Sequence, residues 1–479
     1  MTHMPSAAGP PAPPVPHVPA QPGPPPGPGS PPSAELSSPP GPPARRSAWA
    51  ETTAQLRAAA TTEPGRLRII GAVLAALVVA FGAVTAFEIA DRAASADAVV
   101  NRSQPLSADA ASIYRSLADA DTAAASGFLA GAQEPAAMRE RYRKDITSAS
   151  RLLVKAAANT DGSTDSRRWI ATLNEQLPRY TGLIERARAN NRQGLPLGGA
   201  YLRYANQLMT TELLPAAQKL YEEETARLDD DHGDARLWPF LSLGLGVVAI
   251  GGLVWAQRRN YLRTNRVFNH GLLAATAAST VVLLWLAVGH AVARAELDEA
   301  RANGQESLNV LNDARISSLK ARANENLTLV ARGAVLTADG KSDKYETDYT
   351  SGMSRLTASL GRAGRLADDS AGRTPVADAV SAASEWKNRH KDAGETDRAG
   401  DYDGALAKVI GSEGSTGQCF DRVDAALEKA LAHEQAEFTE SAEEGRGALA
   451  GLSIGAAVLA VLGAAGAVLG IGRRLSEYR

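Results

Sequence analysis

The chain has 479 residues, a formal net charge of -2 and one cysteine, Cys419. A near-zero balance gives no ground for a nucleic-acid partner, and a lone cysteine excludes an intramolecular disulfide. The mean hydropathy of -0.19 reads as soluble only because long polar stretches dilute four apolar blocks.

Residues 1–44 hold 18 of the 26 prolines, with Gly, Ala and Ser between them. Such a stretch cannot bury a core, so 1–66 is expected to be a disordered, polyproline-rich cytoplasmic tail. Within it, 45–66 could form a short helix on the inner membrane surface, through Trp49, Arg45, Arg46 and Arg57.

The apolar blocks are 69–87, 237–256, 271–292 and 448–471, each free of Asp, Glu, Lys and Arg. A run of that length crosses a hydrocarbon core about 30 Å thick as a helix. Arg66 and Arg68 precede the first, Arg258, Arg259, Arg263 and Arg266 fill the link 257–270, and Arg473, Arg474 and Arg479 lie in the stub 472–479. By the positive-inside rule these pieces are cytoplasmic, which puts both termini inside a multi-pass cell-membrane protein. Formal charges split as +8 inside, -2 over 88–236 and -8 over 293–447. The first block follows about 68 residues, too long a lead for a cleaved signal peptide, and is expected to be an uncleaved anchor.

Segment 88–236 carries four helical stripes. They are Leu106, Ala110, Ile113, Leu117, Ala120, Ala124 and Phe128; Met138 to Ala156; Trp169 to Ala187; and Tyr201, Tyr204, Leu208, Leu214 and Ala217. Turn chemistry separates them at Gly131 and Pro135, at Asp161-Gly162, and from Gly194 to Gly199. Segment 293–447 divides likewise, with stripes at 306–336, 344–364, 375–393 and 403–446 and breaks at Asp339-Gly340, Asp368 to Pro375 and Gly394 to Gly404. The fold expected is all-α: four transmembrane helices and two extracellular antiparallel four-helix bundles, the first helix of each growing out of a span and the last growing into one. Tyr142, Asp145, Thr147, Ser148, Ser150, Arg151 and Leu152 also match Tyr345, Asp348, Thr350, Ser351, Ser354, Arg355 and Leu356 with one inserted residue, which reads as a tandem repeat.

No nucleotide-binding loop, nucleophile elbow or kinase signature occurs, and no His or Cys pair has metal-ligand spacing. No enzyme activity, cofactor or metal is therefore expected. His290 reads as an interfacial residue facing headgroups or water, and Asp229, Asp230 and Asp231 as a solvated acidic run. Gly451/Gly455 and Gly466/Gly470 are small residues at four-residue spacing, expected to let the last span pack closely on the first span or on a second copy of the chain. The four arginines of the inner loop are the candidate contact for a cytoplasmic partner and for anionic lipid.

The exterior segments resemble the four-helix-bundle sensor domains of chemoreceptors and histidine kinases, doubled. The whole chain, from its Pro5–Pro43 tail through four spans and the Arg258–Arg266 loop, resembles the GlnX family of actinobacterial membrane proteins. That resemblance implies a solute-binding lipoprotein outside, which senses acidic amino acids and their amides, and a cytoplasmic Ser/Thr protein kinase inside. With no HAMP-like linker, kinase or cyclase visible, any output is expected to pass through such a partner. A membrane scaffold or transporter accessory subunit is the alternative.

Overall fold

A computed structural model describes residues 61–159, 163–264, 269–411 and 413–476. Most of the Pro-rich tail, the Asp161-Gly162 turn, Arg266 and Arg479 lie outside the described residues. The described chain is helical, with one isolated antiparallel bridge between Leu336 and Asp343.

The first half begins with α1 (Glu63–Ala98), which passes through a π-helical turn (Val99–Ser103) into α2 (Gln104–Leu129). Next come α3 (Ala136–Asn159), α4 (Thr164–Arg192), α5 (Leu197–Leu208) and α6 (Leu214–Ala235), with a second π-turn (Met209–Leu213) joining α5 to α6. Helix α7 (Phe240–Thr264) re-enters the apolar layer.

The second half repeats this plan. Helix α8 (His270–Glu299) passes through a π-turn (Ala300–Gln305) into α9 (Glu306–Ala331). There follow α10 (Lys344–Leu366), α11 (Ser370–Arg398), α12 (Tyr402–Ile410), α13 (Thr416–Leu449) and α14 (Leu452–Ser476). Helices α2 and α9 have 26 residues each, and α4 and α11 have 29 each.

Four helical stretches are long and apolar enough to cross a membrane: Pro64–Leu129, Leu197–Leu262, His270–Ala331 and Thr416–Arg473. The spanning parts of α1, α7, α8 and α14 pack as a ring in that order, and α14 lies against both α1 and α8. Each rising helix continues unbroken from the membrane into a bundle. Neither returning helix does. The first breaks at Leu237–Pro239 and the second at Ala450–Gly451, where Gly451 takes φ +73°. Carbonyls exposed by the first break find donors on neighbouring helices: Arg92 reaches Leu237 O at 2.6 Å and Trp238 O at 3.2 Å, and Arg294 reaches Arg236 O at 3.2 Å. A break beside the bilayer is tolerated because its backbone groups are satisfied in this way.

The two bundles are not separate bodies. One apolar core runs from Ala110 through Leu220 and on from Val310 to Leu431. Its axis is the contact of α2 with α9, each of which is packed on both sides, so residues from Ala120 to Ala125 are buried in succession. Small residues make this approach possible, and Thr122 Oγ1 donates to Leu319 O across it at 2.9 Å.

Several boundaries differ from expectation. Helix α11 runs through Gly394 to Arg398, because only Gly400, at φ +89°, adopts the left-handed turn. Pro375 lies inside α11, where it removes one backbone bond near the helix start without ending the helix. The 403–446 stripe is interrupted between Ile410 and Thr416, with Ser415 capping the new helix. On α5, Tyr204 is 62% exposed and Leu202, Ala205, Met209 and Leu213 are buried instead. The π-turn that follows adds a residue and rotates the buried face, which a strict 3.6-residue period does not anticipate. The repeat also needs no inserted residue. Buried Tyr142, Ala149 and Leu153 correspond to buried Tyr345, Gly352 and Leu356 at one constant offset.

Candidate functional site

Because α2 and α9 are enclosed on both sides, any polar residue on their inward positions must be satisfied by protein. Each helix carries one such carboxylate, and an aromatic residue from the third helix of its own bundle donates to it. Asp121 on α2 accepts from Tyr180 Oη at 3.1 Å and from Asn206 Nδ2 at 2.8 Å. Glu325 on α9 accepts from Trp386 Nε1, 3.1 Å from both oxygens. Tyr180 and Trp386 hold corresponding positions on the equal-length helices α4 and α11, counted from Thr164 and Ser370.

The two centres differ in charge. No cation pairs with Asp121 among the described residues, and burial pushes its carboxyl up to about 6 against the pull of Asn206 and Tyr180. Around Glu325 there is a chain of ions. Arg322 Nη1 donates to it at 2.5 Å, His390 Nδ1 lies 2.9 Å away, and His390 Nε2 lies 3.1 Å from Glu346. Arg322 also donates to Thr416 Oγ1 at 3.0 Å and to Val409 O at 3.1 Å, while Tyr349 stacks on His390 at 3.7 Å. Burial opposes charge on both Glu325 and His390. The cation Arg322, with His390, outweighs it and holds Glu325 below its usual range, and hydrogen bonds to Glu325 and Glu346 raise His390 to about 9.

Asp121 yields a test. Its folded pKa lies above its unfolded value, so its cost to stability is absent below about pH 4, grows through pH 4–6 and is complete above pH 6. Asp121→Asn keeps an acceptor for Tyr180, and the Asn206 amide can turn to serve it. The variant is expected to be more stable at pH 7.5, by on the order of 2 kcal/mol, and unchanged at pH 4. Thermal melts at the two pH values check this, and an equal gain at both would refute the assignment.

Charged and polar pairs stitch the halves on two sides. Arg141 on α3 reaches Asp119 at 2.8 Å and, in the second half, Asp424 at 3.4 Å and Asp421 at 3.5 Å. Arg115 donates to Asn312 at 2.7 Å, and Tyr221 donates to Asn309. Beside the Tyr221–Asn309 contact the halves enclose a cleft of about 750 Å³ between α6, α9 and α10. A smaller space of about 200 Å³, sharing Gln218, Lys320 and Arg355 with that cleft, extends to Asp121 and Asn206.

The residues singled out by sequence fall elsewhere. Arg258 and Arg259 lie near the end of α7, Arg259 over the Trp255 ring at 5.5 Å, and Arg263 lies in its last turn. Of the four glycines, three pack on the third span. A Cβ on Gly455 would meet Trp285 at 2.3 Å, one on Gly466 would meet Gly271 O at 3.0 Å, and one on Gly470 would meet Gly271 Cα at 3.0 Å. Gly451 packs on nothing within 4 Å and instead supplies the left-handed residue of the helix break. The contact with the first span is made by Gly82, whose Cβ would fall 2.0 Å from that of Ala460. His290 does not face water. It is fully buried, edge-on to Trp238 with centroids 5.0 Å apart. His232, also fully buried, packs edge-on to Phe438, and burial lowers it to about 4, so it is neutral at physiological pH. Asp229 of the acidic run pairs with Arg301 at 3.3 Å.

Asp369, His433 and Glu437 have ligand atoms within 4.8 Å of one another, a spacing that a divalent cation could use. The same three already contact one another, with His433 Nε2 3.2 Å from an oxygen of each carboxylate. Sequence reading missed both buried centres. The available signal was polar residues at positions in phase with an apolar stripe, such as Asp121 between Ala120 and Ala124.

With this geometry in place, comparison with known proteins is informative over one region. Residues 95–233, from the end of α1 through the first bundle, match the family model described as an actinobacterial sensor domain. No curated protein and no solved structure matches the chain.

Proposed function

We propose that the chain is a non-catalytic transmembrane sensor that converts an event at its paired bundles into a rearrangement of its four spans. The observation that carries this reading is the continuity of the rising helices. Pro64–Leu129 runs for 66 residues, about 100 Å at 1.5 Å per residue, from the apolar layer through the shared core. The sensor-family match over 95–233 covers the bundle part of that path. Displacements of 1–2 Å along such helices are an established mode of switching. The π-turns at Val99–Ser103 and Ala300–Gln305 stand where each span becomes a bundle helix, and such turns are frequent at functional sites.

The positive-inside charges support an arrangement with both bundles outside the cell and both termini within. The resemblance in sequence supports an extracellular solute-binding lipoprotein reporting an amino-acid supply, and a cytoplasmic Ser/Thr kinase receiving the signal. In this reading Arg258, Arg259, Arg263 and Arg266 present the change to the kinase. Binding outside must favour one arrangement of the spans, or nothing is transmitted. The test is phosphorylation of the kinase's substrates on a shift in amino-acid supply. Deletion of the gene is expected to abolish the response, and at least one single Arg→Gln change in the loop to blunt it at normal protein abundance. An intact response after deletion would leave a scaffold or transporter accessory role in its place.

A further inference from the structure

The cleft between the halves is lined by three cations that make no ion pair among the described residues: Lys320 on α9, and Arg355 and Arg362 on α10. The arginines are seven residues apart, so they share one face of α10 two turns from each other. Lys320 is half-buried, and its ammonium donates to Tyr114 Oη at 2.9 Å. Taking an ammonium out of water is costly, and here burial and the neighbouring Arg355 act against its charge more than the nearby Asp313 supports it.

Most carboxylates around the cleft are already held by other partners. Glu222 is held by Lys219 at 2.7 Å and Gln218 at 2.9 Å, and Asp229 by Arg301. Asp313 lies close enough to Arg362 and Lys320 for their charges to offset part of the burial that pushes its carboxyl up, but it makes no ion pair with either among the described residues, so one carboxylate faces three cations. In the smaller connected space, Lys344 is paired with Asp348, and Asp121 is occupied by Tyr180 and Asn206. Neutral hydrogen-bonding groups complete the wall: Tyr114, Gln218, Asn309, Ser317 and Ser359. A volume of about 750 Å³ lies within the range of small-molecule sites, which favour interfaces between packed units.

We propose that this cleft binds a small organic anion, a carboxylate or phosphate group of which sits between Lys320 and Arg355. Such a ligand touches α6 and Tyr114 of α2 in the first half and α9 and α10 in the second. It therefore ties together the two central helices that continue into the first and third spans. Binding itself stands on the cleft, and only its consequence for signalling rests on the sensor reading above.

The test uses the full-length protein in detergent, with thermal melts and titration calorimetry against succinate, inorganic phosphate and, as a neutral control, succinamide. Succinate or phosphate is expected to raise the melting temperature saturably while succinamide does not, and the stronger of the two identifies the head group. Lys320→Met and Arg355→Gln are expected to weaken that binding at least about tenfold, because each removes a charge-assisted bond. Lys320→Arg should retain it, and Arg151→Gln, on the exposed face of α3, should leave it unchanged. Melts without ligand show whether each variant is folded. No saturable shift with either anion, or binding by both cleft variants as tight as that of the wild type, overturns the proposal. Anion binding together with a phosphorylation response that neither the ligand nor the cleft variants alter would overturn the sensor reading alone.

Discussion

Leu117→Asp should unfold both halves of the extramembrane region, although it changes only the first. Leu117 has no exposed surface and lies on α2 within the core that both halves share. An aspartate there enters an apolar core, and an unpaired buried charge costs several kcal/mol, comparable to the whole stability of a typical domain. If the halves were independent bundles, the second would keep its structure. In a common core built on α2 and α9 it cannot, because α9 loses the surface it packs on. Hydrogen exchange of the full-length protein reads the difference: protection of α11, around Trp386, should fall together with that of α4. Lost protection confined to residues before α7 would show the halves to be separate. For the same reason, isolated 95–233 should lack a cooperative melt unless a second-half segment is supplied.

Arg322→Met is the second large effect. Arg322 and Glu325 are 4% and 1% exposed, and the substitution removes donors from Glu325, from Thr416 and from the carbonyl of Val409. Breaking one side of a buried pair costs about 3–5 kcal/mol, most of it the stranded charge. Arg322→Met combined with Glu325→Gln should therefore be more stable than Arg322→Met alone, and a double-mutant cycle measures the coupling. The pH dependence carries a further signature. Glu325 is held below its usual range, so its contribution is present above about pH 4.5 and is lost as pH falls through its folded value. His390 is raised to about 9, so its contribution is complete below about pH 6.5 and is lost as pH rises through 9. Stability of the wild type should decline from pH 7 to pH 9.5, and His390→Gln should flatten that decline. An unchanged slope would mean that His390 is not charged in the fold.

Much of the architecture is legible residue by residue. Blocks of twenty uncharged residues admit few structures other than apolar helices, and α1, α7, α8 and α14 stand where those blocks do. Stripes such as Leu106 to Ala124 and Tyr142 to Ala156 mark buried faces because a helix returns to one side every three or four residues, and those residues are buried or nearly so. Turns at Gly131, Gly194 and Gly340 follow equally directly, since each takes a positive φ that other residues resist.

What a local period cannot contain is the far side of a helix. Nothing in Ala118, Thr122 and Ala125 announces a second partner, yet these small residues let α9 lie against α2 and merge two bundles into one core. The same limit hid the site. Asp121, Arg322 and Glu325 are ordinary polar residues along the chain, and become a buried pair of charged centres only when α2 and α9 are enclosed on all sides. Lys320, Arg355 and Arg362 form a cleft only because α6 of one half meets α9 and α10 of the other. Helix and span follow from short-range spacing and solvent preference, which are written in neighbouring residues. The shared core, the glycine contacts of α14 on α8 and the unpaired cations depend on which surfaces meet at long range, and only the packed tertiary structure decides that.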